Sequence, residues 1–223
     1  MPSIFQRALG DAAFARLHPQ LQRRFGVGLD SGEACIGKGV MSRVWNAGLL
    51  VRPFLSLGSR RNILVKDAGR DIPFQIENYP YVDSYGRETV TFVRTFPGGR
   101  FDATMIYNDA RALVVDYLGD HQHIATPLAL SVDDQGGLII RSGRQRFLEG
   151  PLAFPIPPAA TGTATVSEHF DDRTGRFAIA VTVSNPWLGR IFGYWGSFTV
   201  EYVDVADHGV PANVKPRRED ARC

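Results

Sequence analysis

Two of the chain's five histidines stand one residue apart in the stretch YLGDHQH, residues 117–123. On a β-strand, residues i and i+2 face the same side, so His121 and His123 have the spacing to grip one metal ion. A catalytic zinc site takes three protein ligands and keeps an open position, and this pair supplies two. Asp116, Asp120, Glu149, Glu168 and His169 have the chemistry to complete the set, but none stands at a spacing that singles it out. The plainer reading makes Gly119-Asp120 a tight turn and leaves both imidazoles on a rim. No metal is expected on that reading.

Other chemistry is thinner. No GxSxG nucleophile elbow occurs, and Ser84 in VDSYG sits in turn-forming sequence rather than at a strand-to-helix corner. Cys35 has no His or Arg close in sequence to lower its pKa, and Cys223 ends the chain. No catalytic residue and no cofactor is assigned.

Charge and aromaticity in period-two runs carry more information. Glu77, Glu88, Arg94, Asp102, Asp116, Arg141, Glu168 and Glu201 all fall inside expected strands. Those that point inward must pair, since a lone buried charge is costly, and Arg94 or Arg141 facing Glu77 or Asp102 would satisfy that need. Those that point outward need no explanation. Phe192, Tyr194, Phe198 and Tyr202 share one parity in the last strand. They suit the wall of an apolar pocket, with Met105 or Tyr107 opposite, and equally suit a packed core.

The elements that must position these residues are mostly strands. DSYGRE, FPGGRF, YNDAR, VDDQGG and FDDRTGR join β-rich runs through residues that tolerate tight hairpins. Strands are expected near 72–82, 87–96, 101–107, 111–118, 123–132, 137–147, 162–171, 176–184 and 190–203. Short turns make neighbours antiparallel. About nine strands must curl to hide their edges, which gives an α+β, mostly antiparallel fold: a curved or closed meander barrel. The proline-rich stretch 150–162 reads as a loop across its mouth or wall. Ile4, Leu9, Phe14, Leu17 and Leu21 predict one or two short N-terminal helices covering one end, interrupted at His18-Pro19.

One domain over 1–205 is expected, with 1–61 as helical cap and short hairpin, 62–205 as barrel and 206–223 as disordered tail. EACIGKGVMSRVW (33–45) reads as a short strand or hairpin and 47–58 as a helix. Within 43–61, Trp45 and a run of leucines lie between Arg43, Arg52, Arg60 and Arg61. A basic-flanked apolar helix of this kind rests in a membrane interface or lids a lipid pocket. Arg52 and Pro53 interrupt it, so plain packing on the sheet's open end is the simpler reading.

A formal charge of +2 gives no electrostatic footprint for nucleic acid. Two cysteines argue against a disulfide framework and for a reducing cytoplasm. No run approaches the ~18 apolar residues of a spanning helix.

The segments RNILV, IPFQIENYPYVDSYGRETVTFVRTF, FDATMIY, VDYLGDHQH, RSGRQRFLEGPLAFP and GRIFGYWGSFTVEY resemble, in order, the bacterial domain of unknown function numbered forty-one sixty-six. Members of that family also occur fused behind saccharopine-dehydrogenase-like Rossmann modules. The resemblance therefore implies a possible reductase partner, and the missing GxGxxG implies a stand-alone form. It implies no catalytic residue. The leading expectation is a module enclosing an apolar or amphipathic small molecule such as a lipid. Ligand contacts are expected at Phe192, Tyr194, Phe198, Tyr202, Met105, Tyr107, Arg94, Arg141 and Glu77. An enzyme or reductase accessory and a ligand-free interaction scaffold are the alternatives.

Overall fold

Alternating apolar residues need a second apolar face, and here the sheet supplies it by closing on itself. The computed structural model describes residues 1–48, 61–63, 65 and 67–222. Its strands are β1 (Glu33–Asn46), β2 (Gly69–Asn78), β3 (Pro80–Val82), β4 (Glu88–Phe96), β5 (Gly99–Asn108), β6 (Leu113–Leu118) and β7 (Ile124–Val132). They continue as β8 (Leu138–Ser142), β9 (Arg146–Glu149), β10 (Leu152–Pro155), β11 (Thr163–Asp171), β12 (Arg176–Asn185) and β13 (Gly189–Asp204). Around the wall the order is β7-β6-β5-β4-β2-β1-β13-β12-β11-β8, and β8 pairs back with β7. This closes a barrel of ten strands. Every described pairing is antiparallel. Closure removes the free edges that an open sheet would expose.

The expected hairpins at 83–87, 97–100, 108–110, 133–137 and 171–175 all appear between paired strands. The tenth wall strand is β1, which the sequence suggested only as a short strand or hairpin. It runs 14 residues and pairs with both β2 and β13. Its glycines hide the strand pattern because the strands approach too closely there for side chains. A Cβ on Gly39 would stand 2.1 Å from the Ser197 carbonyl oxygen, and one on Gly37 would stand 2.6 Å from Ile76. The register shift between Val40 and Arg43 bends the strand at the same place.

Three short helices, α1 (Ile4–Leu9), α2 (Asp11–Phe14) and α3 (Pro19–Phe25), cover one end. Ser3 caps α1 by accepting from the Gln6 amide, and its hydroxyl donates to the Phe25 carbonyl, tying the first helix to the third. His18 caps α3 through Nδ1, with Pro19 in the first turn. Ile4, Phe5, Phe14, Leu17, Leu21 and Phe25 enter the main core. Phe5 meets Phe25 and Phe92 edge-to-face at 5.0 and 5.7 Å.

Several expectations change in detail. The run 137–147 divides into β8 and β9, and β9 lies beside the start of β7 and pairs on its other edge with β10. The tail read as disordered instead packs on the barrel through residue 222. A helical turn α4 (Val205–His208) follows β13. Glu219 then accepts from the Tyr81 hydroxyl and the Ser84 amide, and Arg218 donates to Glu149 and to the His121 and Leu148 carbonyls. A polar tail can order when its charges meet backbone groups that the barrel leaves unpaired. The helix expected at 47–58 lies almost wholly outside the described residues. No described helix is long and apolar enough to cross a membrane.

Candidate functional site

Inward parity is set strand by strand. On β4 it selects Phe92, Arg94 and Phe96; on β6 Val114, Asp116 and Leu118; on β13 Phe192, Tyr194 and Phe198. At the helix end Phe92, Val114 and Phe198 join Phe5 and Phe25 in the main core and fill the barrel. Phe198 is fully buried, stacked at 5.5 Å on Phe177, with the Arg24 guanidinium 5.0 Å from its ring. Arg24 reaches in from α3 and pairs with buried Glu168 through Nε. Its Nη1 donates to Asn78 Oδ1 at 2.8 Å and to Cys35 Sγ at 3.1 Å. Cys35 thus has the cation that its sequence neighbourhood lacked, although burial pushes the thiol up more strongly than Arg24 pulls it down.

A belt of Phe74, Phe96 and Tyr194, with centroids 5.3–6.0 Å apart, separates this packed end from a cavity of about 200 Å³. Phe96, Phe101, Met105, Leu118, Leu128, Ile140, Val166, Val181, Val183 and Phe192 give it a mainly apolar wall. Ile63 and Val65 contribute from a segment docked on the rim, where Asn62 donates to Asp102 Oδ2 at 2.8 Å. Across the mouth, a turn of 3-10 helix (Pro158–Ala160) leads into Thr161 and Gly162, whereas Leu152–Pro155, within the stretch 150–162 expected as one loop, forms strand β10 instead. Asn185 holds that loop: its amide donates to the Ala159 and Thr161 carbonyls, while its Oδ1 accepts from the Trp187 and Leu188 amides.

Three groups on the wall each carry a buried polar atom with no hydrogen-bond partner among the described residues. Arg94 is 6% exposed and its Nε has no hydrogen-bond partner among the described residues. Its guanidinium lies 5.0 Å from the Phe101 ring. Tyr194 is 1% exposed, and neither its hydroxyl nor Asp116 Oδ1 has a partner among the described residues. Asp116 lies deep in the barrel, and the surface it retains faces the cavity. Burial pushes its carboxyl up to about 7 against the opposing pull of Arg94.

Of the residues expected to touch a ligand, Phe192, Tyr194, Met105 and Arg94 line this cavity. Phe198 belongs to the packed end. Tyr202 and Tyr107 lie under α3 and α1, with Arg23 at 3.8 Å and Arg7 at 4.0 Å over their rings. Arg141 is exposed, and Glu77 faces outward between Ile36 and Val93. The anticipated pairing also differs, because Asp102 points outward and takes Arg100 and Asn62 as partners. Thr126, Ser142, Gln145 and Asn185 were missed as lining residues. Only register across strands could have found them.

The histidine pair sits in the β6–β7 turn rather than on one strand face. Gln122 takes φ +53° and its side-chain amide donates to Thr104 on the outer face of β5, while the flanking rings stack at 5.2 Å. Asp120, His121 and His123 place one ligand atom each within 4.8 Å of one another, so they could hold a metal. Both His123 nitrogens already have partners: Nδ1 lies 2.7 Å from Glu149 and Nε2 2.9 Å from the Arg61 guanidinium. Burial and then Arg61 lower its pKa, which favours the neutral ring. Glu168 points into the packed end, and His169 pairs with Asp133 at 2.6 Å.

Comparison with known proteins matches this architecture to a sequence family but to no solved structure. The uncharacterized protein YndH of Bacillus subtilis is 34% identical over 205 residues, covering 90% of this chain and 98% of that one. The family model described as a domain of unknown function, DUF4166, matches residues 17–198. The wall that encloses the cavity falls almost entirely within the matched residues, and the chain belongs to the DUF4166 family.

Proposed function

We propose that the barrel is a binding module that encloses one small apolar or amphipathic molecule. The observation that carries this reading is the asymmetry of the interior. One end is filled by side chains and capped by helices, while the other keeps an apolar cavity beneath a loop. Enclosed apolar cavities with a few convergent polar groups are where small ligands bind. Barrels of about this strand number are wide enough to hold one. A reductase partner rests on the family's fused Rossmann modules and on no contact in this chain.

The test is uptake of an apolar fluorescent probe, with native mass spectrometry of gently purified protein alongside. Wild-type protein binds the probe. Val181→Phe, which places a larger side chain into the cavity, weakens uptake about tenfold or more while the protein stays folded. Wild-type protein that takes up no probe and carries no bound molecule would end this reading.

A further inference from the structure

We propose that the cavity selects a compact monocarboxylic acid, with the carboxylate held by Arg94 and the Tyr194 hydroxyl and the apolar body lying against Met105, Leu128 and Val181. This deepens the binding reading and rests on it.

The argument starts from Arg94. A guanidinium never loses its proton in a protein, so its charge has to be met where it sits. Arg94 is more than nine-tenths buried, faces the cavity and has no ion-pair partner among the described residues. An uncompensated buried charge is costly, and the aromatic faces of Phe92 and Phe101 answer it weakly compared with an anion. The planar fork of Arg94 matches the two oxygens of a carboxylate, and charge-assisted bonds of this kind are the strong ones. Tyr194 offers a second buried donor with no hydrogen-bond partner among the described residues.

The ligand's charge follows from the cavity's other group. Asp116 is the remaining ionisable side chain on the wall, and burial pushes its carboxyl up to about 7, so about half of the molecules carry it protonated at pH 7. A second carboxylate entering beside Arg94 favours the protonated form, which can then donate a hydrogen bond to it. A cationic ligand would meet Arg94 unfavourably, and a neutral alcohol would leave the guanidinium unmet. Size narrows the class further. A dry cavity of about 150 Å³ accommodates benzene, so one of about 200 Å³ takes a body of about eight carbons.

The experiment titrates full-length protein with octanoate, octan-1-ol and 2-aminooctanoate, against wild type, Arg94→Gln and Tyr194→Phe, with melting temperature measured on each. The expected result is that octanoate binds wild type about tenfold or more tightly than octanol. Arg94→Gln removes that preference by weakening octanoate far more than octanol. Tyr194→Phe, which loses only a hydroxyl, weakens octanoate by about fivefold and supplies the decisive comparison if Arg94→Gln does not fold. Equal binding of acid and alcohol, or an acid preference untouched by the folded variants, overturns the carboxylate assignment while the binding module stands. Tighter binding of 2-aminooctanoate overturns it in favour of a zwitterion. If neither these compounds nor the apolar probe binds, the binding reading fails and takes this inference with it.

Discussion

The barrel buries an arginine toward each end and treats the two differently. Arg24 is 3% exposed and delivers Nε to Glu168 and Nη1 to Asn78 and Cys35, leaving only Nη2 without a partner. Arg94 is 6% exposed, yet its Nε, the Tyr194 hydroxyl and Asp116 Oδ1, all on the cavity wall, have no hydrogen-bond partner among the described residues. Buried polar groups that serve structure are normally satisfied within the protein, and those left over mark strain, a ligand or bound water. The helix end therefore satisfies its buried charge within the protein, and the mouth end leaves polar groups for the ligand proposed above.

The sharpest way to break that comparison is at Glu168. Glu168→Ala strands Arg24 as a lone buried cation, and the expected loss is about 3–5 kcal/mol of unfolding free energy in a denaturant titration. A loss below about 1 kcal/mol would show that the helix end tolerates an unmatched charge, and the contrast would disappear. Arg94→Met is the matching change at the mouth. It removes a charge that forms no ion pair among the described residues, and Asp116, which loses the pull of Arg94, can keep its proton, so stability holds or rises by about 1–3 kcal/mol in the same titration at pH 6. A marked loss there would reveal a structural partner for Arg94.

A smaller effect sharpens the electrostatics of the cavity. The Asp116 carboxyl sits near 7 in the folded chain and at about 4 when unfolded, so over that interval the native state holds a proton that the unfolded state has released. Its stabilising contribution is complete below about pH 4, declines as pH rises to about 7 and is level beyond. Asp116→Asn should flatten this part of the stability profile when urea midpoints are compared at pH 5 and pH 8. A profile that keeps its slope would place the titrating group elsewhere. The smallest effect is expected at Arg141, which faces solvent. Arg141→Ala should change stability by no more than about 0.5 kcal/mol and leave probe uptake untouched.

Much of this architecture was legible in the chain. Period-two runs and turn residues located nine strands and their hairpins, because each signal is local: alternation over a few residues and positive-φ chemistry at the turn. The cap of helices was legible too, from apolar spacing and the His18-Pro19 break. At the site, parity alone placed Phe192 and Tyr194 on one face. It could not separate them from Phe198, since one strand crosses both the packed end and the cavity. Arg141 and Glu77 were expected at the ligand because inward and outward faces cannot be told apart when both carry charge.

The sequence by itself determined an antiparallel barrel, its order of hairpins and the family, since these follow from patterns only a few residues long or from ordered segments. Tertiary structure alone decided closure through β1, where Gly37 and Gly39 silence the alternation to let neighbouring strands approach. It also decided which charges meet. Arg24 finds Glu168 across 144 residues, and Arg94, 22 residues before Asp116, finds no ion-pair partner among the described residues. Such pairings depend on stagger around a closed wall, a property of all ten strands together that no single stretch of sequence contains.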